Sequence, residues 1–269
     1  MAISRHLLHW LACATAILSA PTFAETFTVG GVGSLTPIIK LLGAEYAKKH
    51  PGFDFRVIEP PMGSKGGIRA LAAGKIDIAV SGRSVNPDET GVAKAWLQTP
   101  LVLATAGGKS KGLTLAQIAD IYAGRKTGWD DNTSIRLVLR GDQETETKVL
   151  RGMSPAIDAA VTEALKRPGL PTAENDIEAL ELLGKMPGSL GTTNLGLIKA
   201  SAARVTALPI EGVVPSGKRM EDSSYPWRRQ FYLITPTSPS PALAAFATWL
   251  NSPPAFALAR KFDYLPMQP

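Results

Sequence analysis

Apolar and polar positions alternate in two periods along this chain, and the switches between them predict an α/β fold. Short apolar runs bounded by glycine, proline or small polar residues predict strands at 26–29, 53–58, 76–80, 101–105, 135–140 and 230–234. Between them lie stretches whose apolar residues recur every three or four positions. In 36–49 these are Ile38, Leu41, Leu42 and Tyr46, with Pro37 near the start. The same spacing predicts helices at 115–122, 145–151, 154–166, 175–183, 241–251 and 254–261, while 189–197 holds a strand-like piece between glycines. Such alternation argues for sheets flanked by helices, with glycine turns at strand ends. No internal repeat and no low-complexity linker divides the chain. Any two units must therefore be joined by strands.

The most informative stretch is 63–84, GSKGGIRALAAGKIDIAVSGRS. A glycine-rich turn carrying Ser64 runs into a helix marked by Ile68, Leu71 and Ala72, which Gly74 stops. The strand at 76–80 then ends in a second small polar turn, Ser81-Gly82-Arg83-Ser84. Two backbone-rich turns can thus face one point, and free amides at a helix start favour bound negative charge. Ordinary loop glycine is the plain alternative.

Residues 1–24 read as a cleavable leader: Arg5 and His6, an apolar run over 7–18, and small residues ahead of Glu25. That run is short for a membrane span, so the expectation is a periplasmic product exported across one membrane. Cys13, the only cysteine, lies in the leader, which leaves the rest without a disulfide or thiolate metal site. Without Arg5 there are 28 basic against 23 acidic residues, a formal charge of +5. This mild, unclustered excess suits an anionic ligand and shows no nucleic-acid footprint. His50 is the one histidine beyond the leader, in an unpromising turn, and no metal, phosphate-loop or nucleophile motif appears. No enzyme activity and no cofactor are expected.

Arg140 follows a strand and precedes a polar turn, a good ligand position; a surface salt bridge with Asp142 or Glu144 competes with that role. Arg83 is similar, among small residues. Ser34 and Ser64 can cap helices, touch ligand, or do both. Trp129, Trp227 and Trp249 read as packing residues, Thr192 and Thr193 as turn or cleft residues, and Arg228 as a candidate to reach a ligand.

Seven segments, in order, carry a family resemblance: GGVGSLTPIIKLLGAEYAKKHPG, GSKGGIRALAAGKIDIAVSGRS, LTLAQIADIYAGRKTGWDD, LRGDQETETK, PGSLGTT, YPWRRQFYLIT and FATWLNSPPAFALARKFDYLPM. Together they resemble the phosphate-type periplasmic substrate-binding proteins of ABC importers, over nearly all of 27–267. The resemblance implies a two-lobed type II binding-protein fold, each lobe a mixed sheet flanked by helices, with ligand in the cleft between them. Lobe one would be 25–104 plus 209–269, and lobe two 105–208. The family's contacts would fall on Ser34 and the amide of Leu35, on Ser64, on Gly82 and Arg83, and on Arg140. The following helix start, 142–147, would add Glu144 and Thr145.

One departure stands out. Where phosphate binders of this family carry Ser-Gly-Thr after the arginine, this chain has Glu144-Thr145-Glu146. Acidic residues suit a helix start, so capping is one role. In the cleft, a carboxylate would instead repel a fully ionised anion, pair with Arg140 or Arg83, or accept from a protonated oxyanion, amine or hydroxyl. The resemblance implies a monomer that captures a small oxyanion or other anionic solute for the membrane subunits of an ABC importer. Two rivals keep the fold: a ligand sensor docking on a membrane sensor protein, and a scaffold that has lost phosphate binding.

Overall fold

The computed structural model describes residues 25–267, so the expected leader lies outside the described residues. Strand β1 (Glu25–Gly31) is followed by a 3-10 turn (Gly33–Leu35), α1 (Thr36–Ala47), β2 (Phe53–Val57), α2 (Gly63–Ala72) and β3 (Ile78–Ser81). The long β4 (Val92–Thr105) leads to α3 (Leu115–Tyr122), β5 (Arg136–Arg140), α4 (Thr145–Arg151), α5 (Pro155–Lys166) and β6 (Thr172–Ala173). Then come α6 (Asp176–Lys185), β7 (Ser189–Asn194), α7 (Leu195–Ala200), β8 (Thr206–Ala207) and α8 (Gly217–Glu221). Strand β9 (Arg228–Thr235), α9 (Pro241–Leu250), α10 (Pro253–Arg260) and β10 (Leu265–Pro266) complete the described fold.

The strands are hydrogen-bonded in the order β2-β1-β3-β9-β4-β7-β5-β6, with β8 and β10 also pairing to β4. Pairing is parallel at β1–β2, β1–β3, β5–β7 and β5–β6, and antiparallel at β3–β9, β9–β4 and β4–β7. This is a mixed α/β arrangement, as the alternating pattern predicts. β4 is its spine: Val92–Pro100 pairs with β9, and Leu101–Ala104 with β7. A bulge between Ala95 and Leu97 lets neighbouring Trp96 and Leu97 both be buried.

Two large apolar cores meet along that spine. One gathers Phe27, Val29, Leu35, Ile38, Leu42, Leu97, Phe231 and Phe246; the other gathers Leu101, Ile118, Leu137, Leu139, Ile157, Leu190 and Tyr225. Helix boundaries follow local chemistry. Thr114 and Gln117 form a reciprocal capping box at α3, and Ser154 caps α5 through the Ile157 amide.

The short elements β6, β8, α8 and β10 have no counterpart in the predicted set, and two longer segments also differ from it. The first part of β4 is interrupted by Lys94, Gln98 and Pro100 and lies outside the predicted strands, yet β9 supplies its partner. The piece at 189–197 divides at Asn194, whose side chain accepts from the Leu197 amide and starts α7.

Backbone meets backbone where α2 crosses the end of β1. Gly31 has φ +133°, and a Cβ there would lie 1.9 Å from the Val80 carbonyl oxygen. A Cβ on Gly67 would stand 2.9 Å from the Gly31 Cα. That close approach holds the start of α2 beside the 3-10 turn. Gly67→Ala forces two main chains apart and is expected to cost about 1–3 kcal/mol. Urea unfolding monitored by circular dichroism checks it, with an unchanged midpoint counting against the packing.

Candidate functional site

A cleft of about 500 Å³ opens where the 3-10 turn, α2, β5, α4, α6 and β9 come together. Val32, Gly33, Ser64 and Lys65 line one side; Arg140, Glu144, Thr145, Lys148 and Asp176 line the other, with Arg83 and Arg229 also contributing. Local rules explain how the charged groups arrive there. Arg140 is the last residue of β5, and α4 starts directly after Glu144. The Asn175 side chain accepts from the Ile177 and Glu178 amides to cap α6, leaving Asp176 in its first turn.

Arg140, Arg229 and Asp176 of that lining join Glu146, which lies behind it, in a buried group of four charges. Glu146 and Arg229, both almost fully buried, pair at 2.5 Å. Arg140 stands 3.5 Å from Asp176 and 3.0 Å from the half-exposed Glu144, and its other terminal nitrogen donates to the Ala173 carbonyl. The second Asp176 oxygen accepts from the Ser34 amide at 3.1 Å. Arg140, Arg229, Glu146 and Asp176 together sum to zero charge. Arg229 also lies 4.8 Å over the Phe231 ring, and a Cβ on Gly82 would come within 2.3 Å of its guanidinium.

Environment pulls the two buried acids apart. For Glu146, burial pushes upward, but the charge and hydrogen bond of Arg229 outweigh it and hold the carboxyl below its usual range. For Asp176, burial and then the Glu146 charge raise the pKa to about 6, against the opposing pull of the arginines.

Five expected site residues line this cleft: Ser64, Arg83, Arg140, Glu144 and Thr145. Three stand behind it. Ser34 is wholly buried, its hydroxyl accepting from Asn194 and its carbonyl from the Tyr264 hydroxyl. Leu35 is a core residue. Gly82 donates its amide to the Ser64 hydroxyl at 2.9 Å, tying the turn after β3 to the first turn of α2, and packs on Arg229. Arg83 is held by Glu89 at 2.6 Å, and its hydrogen bond lowers the Glu89 pKa to about 2. Arg140 is buried rather than at the surface, and Asp142 pairs with Arg151 instead.

Trp129 is buried, and Trp227 and Trp249 pack against the cores, as expected of packing residues. Thr192 and Thr193 are buried within β7, away from the cleft lining. Arg228 faces a different cavity, of about 570 Å³, with Gln98, Gln230, Glu221 and Arg260.

Sequence reading missed Arg229 and Asp176. For Arg229 a signal existed, since period-two alternation puts it on the same face as buried Phe231 and Leu233. For Asp176 there was none, because an acidic residue in a first turn is ordinary.

Removing Glu146 leaves Arg229 buried without its partner. Glu146→Ala is expected to cost about 3–5 kcal/mol in urea unfolding, with Arg229→Met in the same chain recovering part of it. An exposed-site value near zero would contradict the buried pair. Asp176 predicts a pH dependence. Its folded pKa is raised, so its stabilising contribution is full below about pH 4 and lost as pH rises through about 6. Unfolding free energies at pH 4 to 7 should therefore fall in the wild type relative to Asp176→Asn. Glu89 acts in the opposite sense but is common to both proteins.

The model of the PBP superfamily domain matches residues 19–254. No curated protein sequence gives a significant match. Among solved structures, one from Clostridium perfringens, assigned as a phosphate ABC transporter substrate-binding protein with bound phosphate, aligns at TM-score 0.74 and 18% identity, over 91% of this chain and 100% of that one. An ABC-type phosphate transport receptor from Vibrio cholerae aligns at 0.60 and 20%, over 90% and 100%. The periplasmic molybdate-binding protein of Azotobacter vinelandii aligns at 0.61 and 14%, over 90% and 100%. At these identities the structures share the fold. Since the family model spans most of its length, this chain belongs to the PBP superfamily domain family.

Proposed function

We propose that this chain is a periplasmic solute-binding protein that captures a small oxyanion or other small anionic solute in an inter-lobe cleft and delivers it to the membrane subunits of an ABC importer. The observation that carries the reading is the cleft itself. Its lining has five cationic side chains, Lys65, Arg83, Arg140, Lys148 and Arg229, against three acidic ones, Glu144, Glu174 and Asp176. Arg83, Arg140 and Arg229 face carboxylates of the protein, so it is the exposed Lys65 and Lys148 that favour an anion over a cation at the rim. The Ser64 hydroxyl adds a neutral polar group.

The two cores support the proposed lobes. The chain leaves the first core at Leu97, joins the second at Leu101, and returns between Tyr225 and Phe231. Leu101 and Leu103 already belong to the second core, so the proposed outward boundary moves from 104 to about 99. On the return, Ile210 and Tyr225 still belong to the second core, so the proposed boundary moves from 209 to about 227. Groups from both lobes at one cleft let a ligand favour closure through differential contacts. Similarity to structures described as phosphate and molybdate binders supports an oxyanion.

One observation favours a second reading, a scaffold that takes no ligand: both buried arginines already face carboxylates. A thermal-shift panel separates the two. It would contain phosphate, phosphite, sulfate, arsenate, molybdate, small carboxylates and amino acids, each at two pH values. A ligand at one hundred times its dissociation constant stabilises by about 2.7 kcal/mol. The binding reading expects such a shift with at least one anion, weakened by Lys65→Ala or Lys148→Ala, both exposed positions. A panel without any shift supports the scaffold.

A further inference from the structure

The cleft already holds an anion, and it belongs to the protein. The Asp176 carboxylate accepts from the Ser34 amide at the head of the 3-10 turn and faces Arg140 at 3.5 Å. A backbone amide and a buried guanidinium converging on one oxygen-bearing group make a place suited to an oxyanion. In this structure the carboxylate occupies both donors. Arg140 is otherwise used up by Ala173 and Glu144, except for its buried Nε, which has no hydrogen-bond partner.

We propose that Asp176 is a built-in counter-ion that sets the selectivity of the cleft: as carboxylate it competes with a ligand oxyanion for Ser34 and Arg140, and as the neutral acid it yields to one. The inference rests on the binding reading above and deepens it. Uptake of a small oxyanion is then coupled to uptake of one proton.

Charge counting explains why this single group decides the outcome. The charges that act on Asp176 come from three elements: Arg140 from β5, Glu146 from the start of α4, and Arg229 from β9, with Glu144 also paired to Arg140; β6 and β7, which also pack on α6, carry no charged side chain. The 3-10 turn adds Ser34, itself held by Asn194 and Tyr264. Glu146 is committed to Arg229 and stays ionised. With Asp176 ionised the buried cluster is neutral and offers an anion no net attraction. With Asp176 protonated it carries +1, and the amide and guanidinium are released from a charged competitor. The raised pKa, about 6, puts the change within a range that solution conditions reach. If only the protonated form competes well for anions, the apparent affinity falls by up to about tenfold per pH unit above that value. Between pH 5 and 7.5 the loss is on the order of 30-fold.

Sulfate is the probe of choice, since its own charge is constant over this range. Isothermal titration of sulfate into the wild type and Asp176→Asn, at pH 5 to 7.5, reads the coupling directly. The asparagine is nearly isosteric and keeps an acceptor for the Ser34 amide; Asp176→Ser serves if it folds poorly by circular dichroism. The proposal expects wild-type affinity to weaken on the order of 30-fold across the series. It expects the variant to bind at pH 7.5 about as tightly as the wild type at pH 5, with little pH dependence. Equal pH dependence in the two proteins overturns it. So does an absence of sulfate binding in both at every pH, because removing the carboxylate then opens nothing. In that last case a thermal shift with another solute would leave the binding reading standing while this inference fails; no shift with any solute would remove both.

Discussion

Four buried charges that cancel one another are the constraint to which the cleft region answers. Isolated charges could not be kept in this interior, because removing an ion from water costs several kcal/mol even after relaxation. Each charge here has an opposite close by, and the pairs cross between elements: α4 to β9, and β5 to α6. The cluster thus fastens pieces that differ widely in sequence position. It also dictates small residues nearby, since Gly82 leaves the room that the Arg229 guanidinium fills.

The same cluster shapes chemistry at the cleft. Arginines that would otherwise present open forks are turned toward internal carboxylates, so net attraction for an anion comes from the rim lysines rather than from the interior. Environment then makes the two buried acids unequal. Glu146 has a close, strong partner and stays ionised; Asp176 has a longer contact to Arg140 and feels Glu146 as a neighbour of like charge. Burial alone would not separate them. The difference is one of distance.

β4 is the other organising device. A strand that pairs with β9 over one stretch and β7 over the next ties both cores to a single backbone ladder. No disordered tether is required, in keeping with the absence of any low-complexity linker in the sequence.

Much of this was legible in the amino-acid sequence. Periodicity located α1, α3, α4 and α9 closely; the glycine-rich stretch at 63–66, expected as a turn before the helix, is the first turn of α2 itself, and with the turn at 81–84 it forms the cleft edge where Ser64 meets Gly82. The acidic run after Arg140 announced that something other than an open arginine waited there. Sequence could not say which carboxylate would face which arginine. Ser34 read as a ligand contact, yet an aspartate 142 positions away takes its amide. Arg228 and Arg229 are adjacent; alternation along β9 sets them on opposite faces, and only the packing around the strand decides that one meets the buried cluster and the other a separate cavity. Local pattern is written in neighbouring residues and governs helices, strands and turns. Partners of buried charges are chosen by long-range packing, which no local period records.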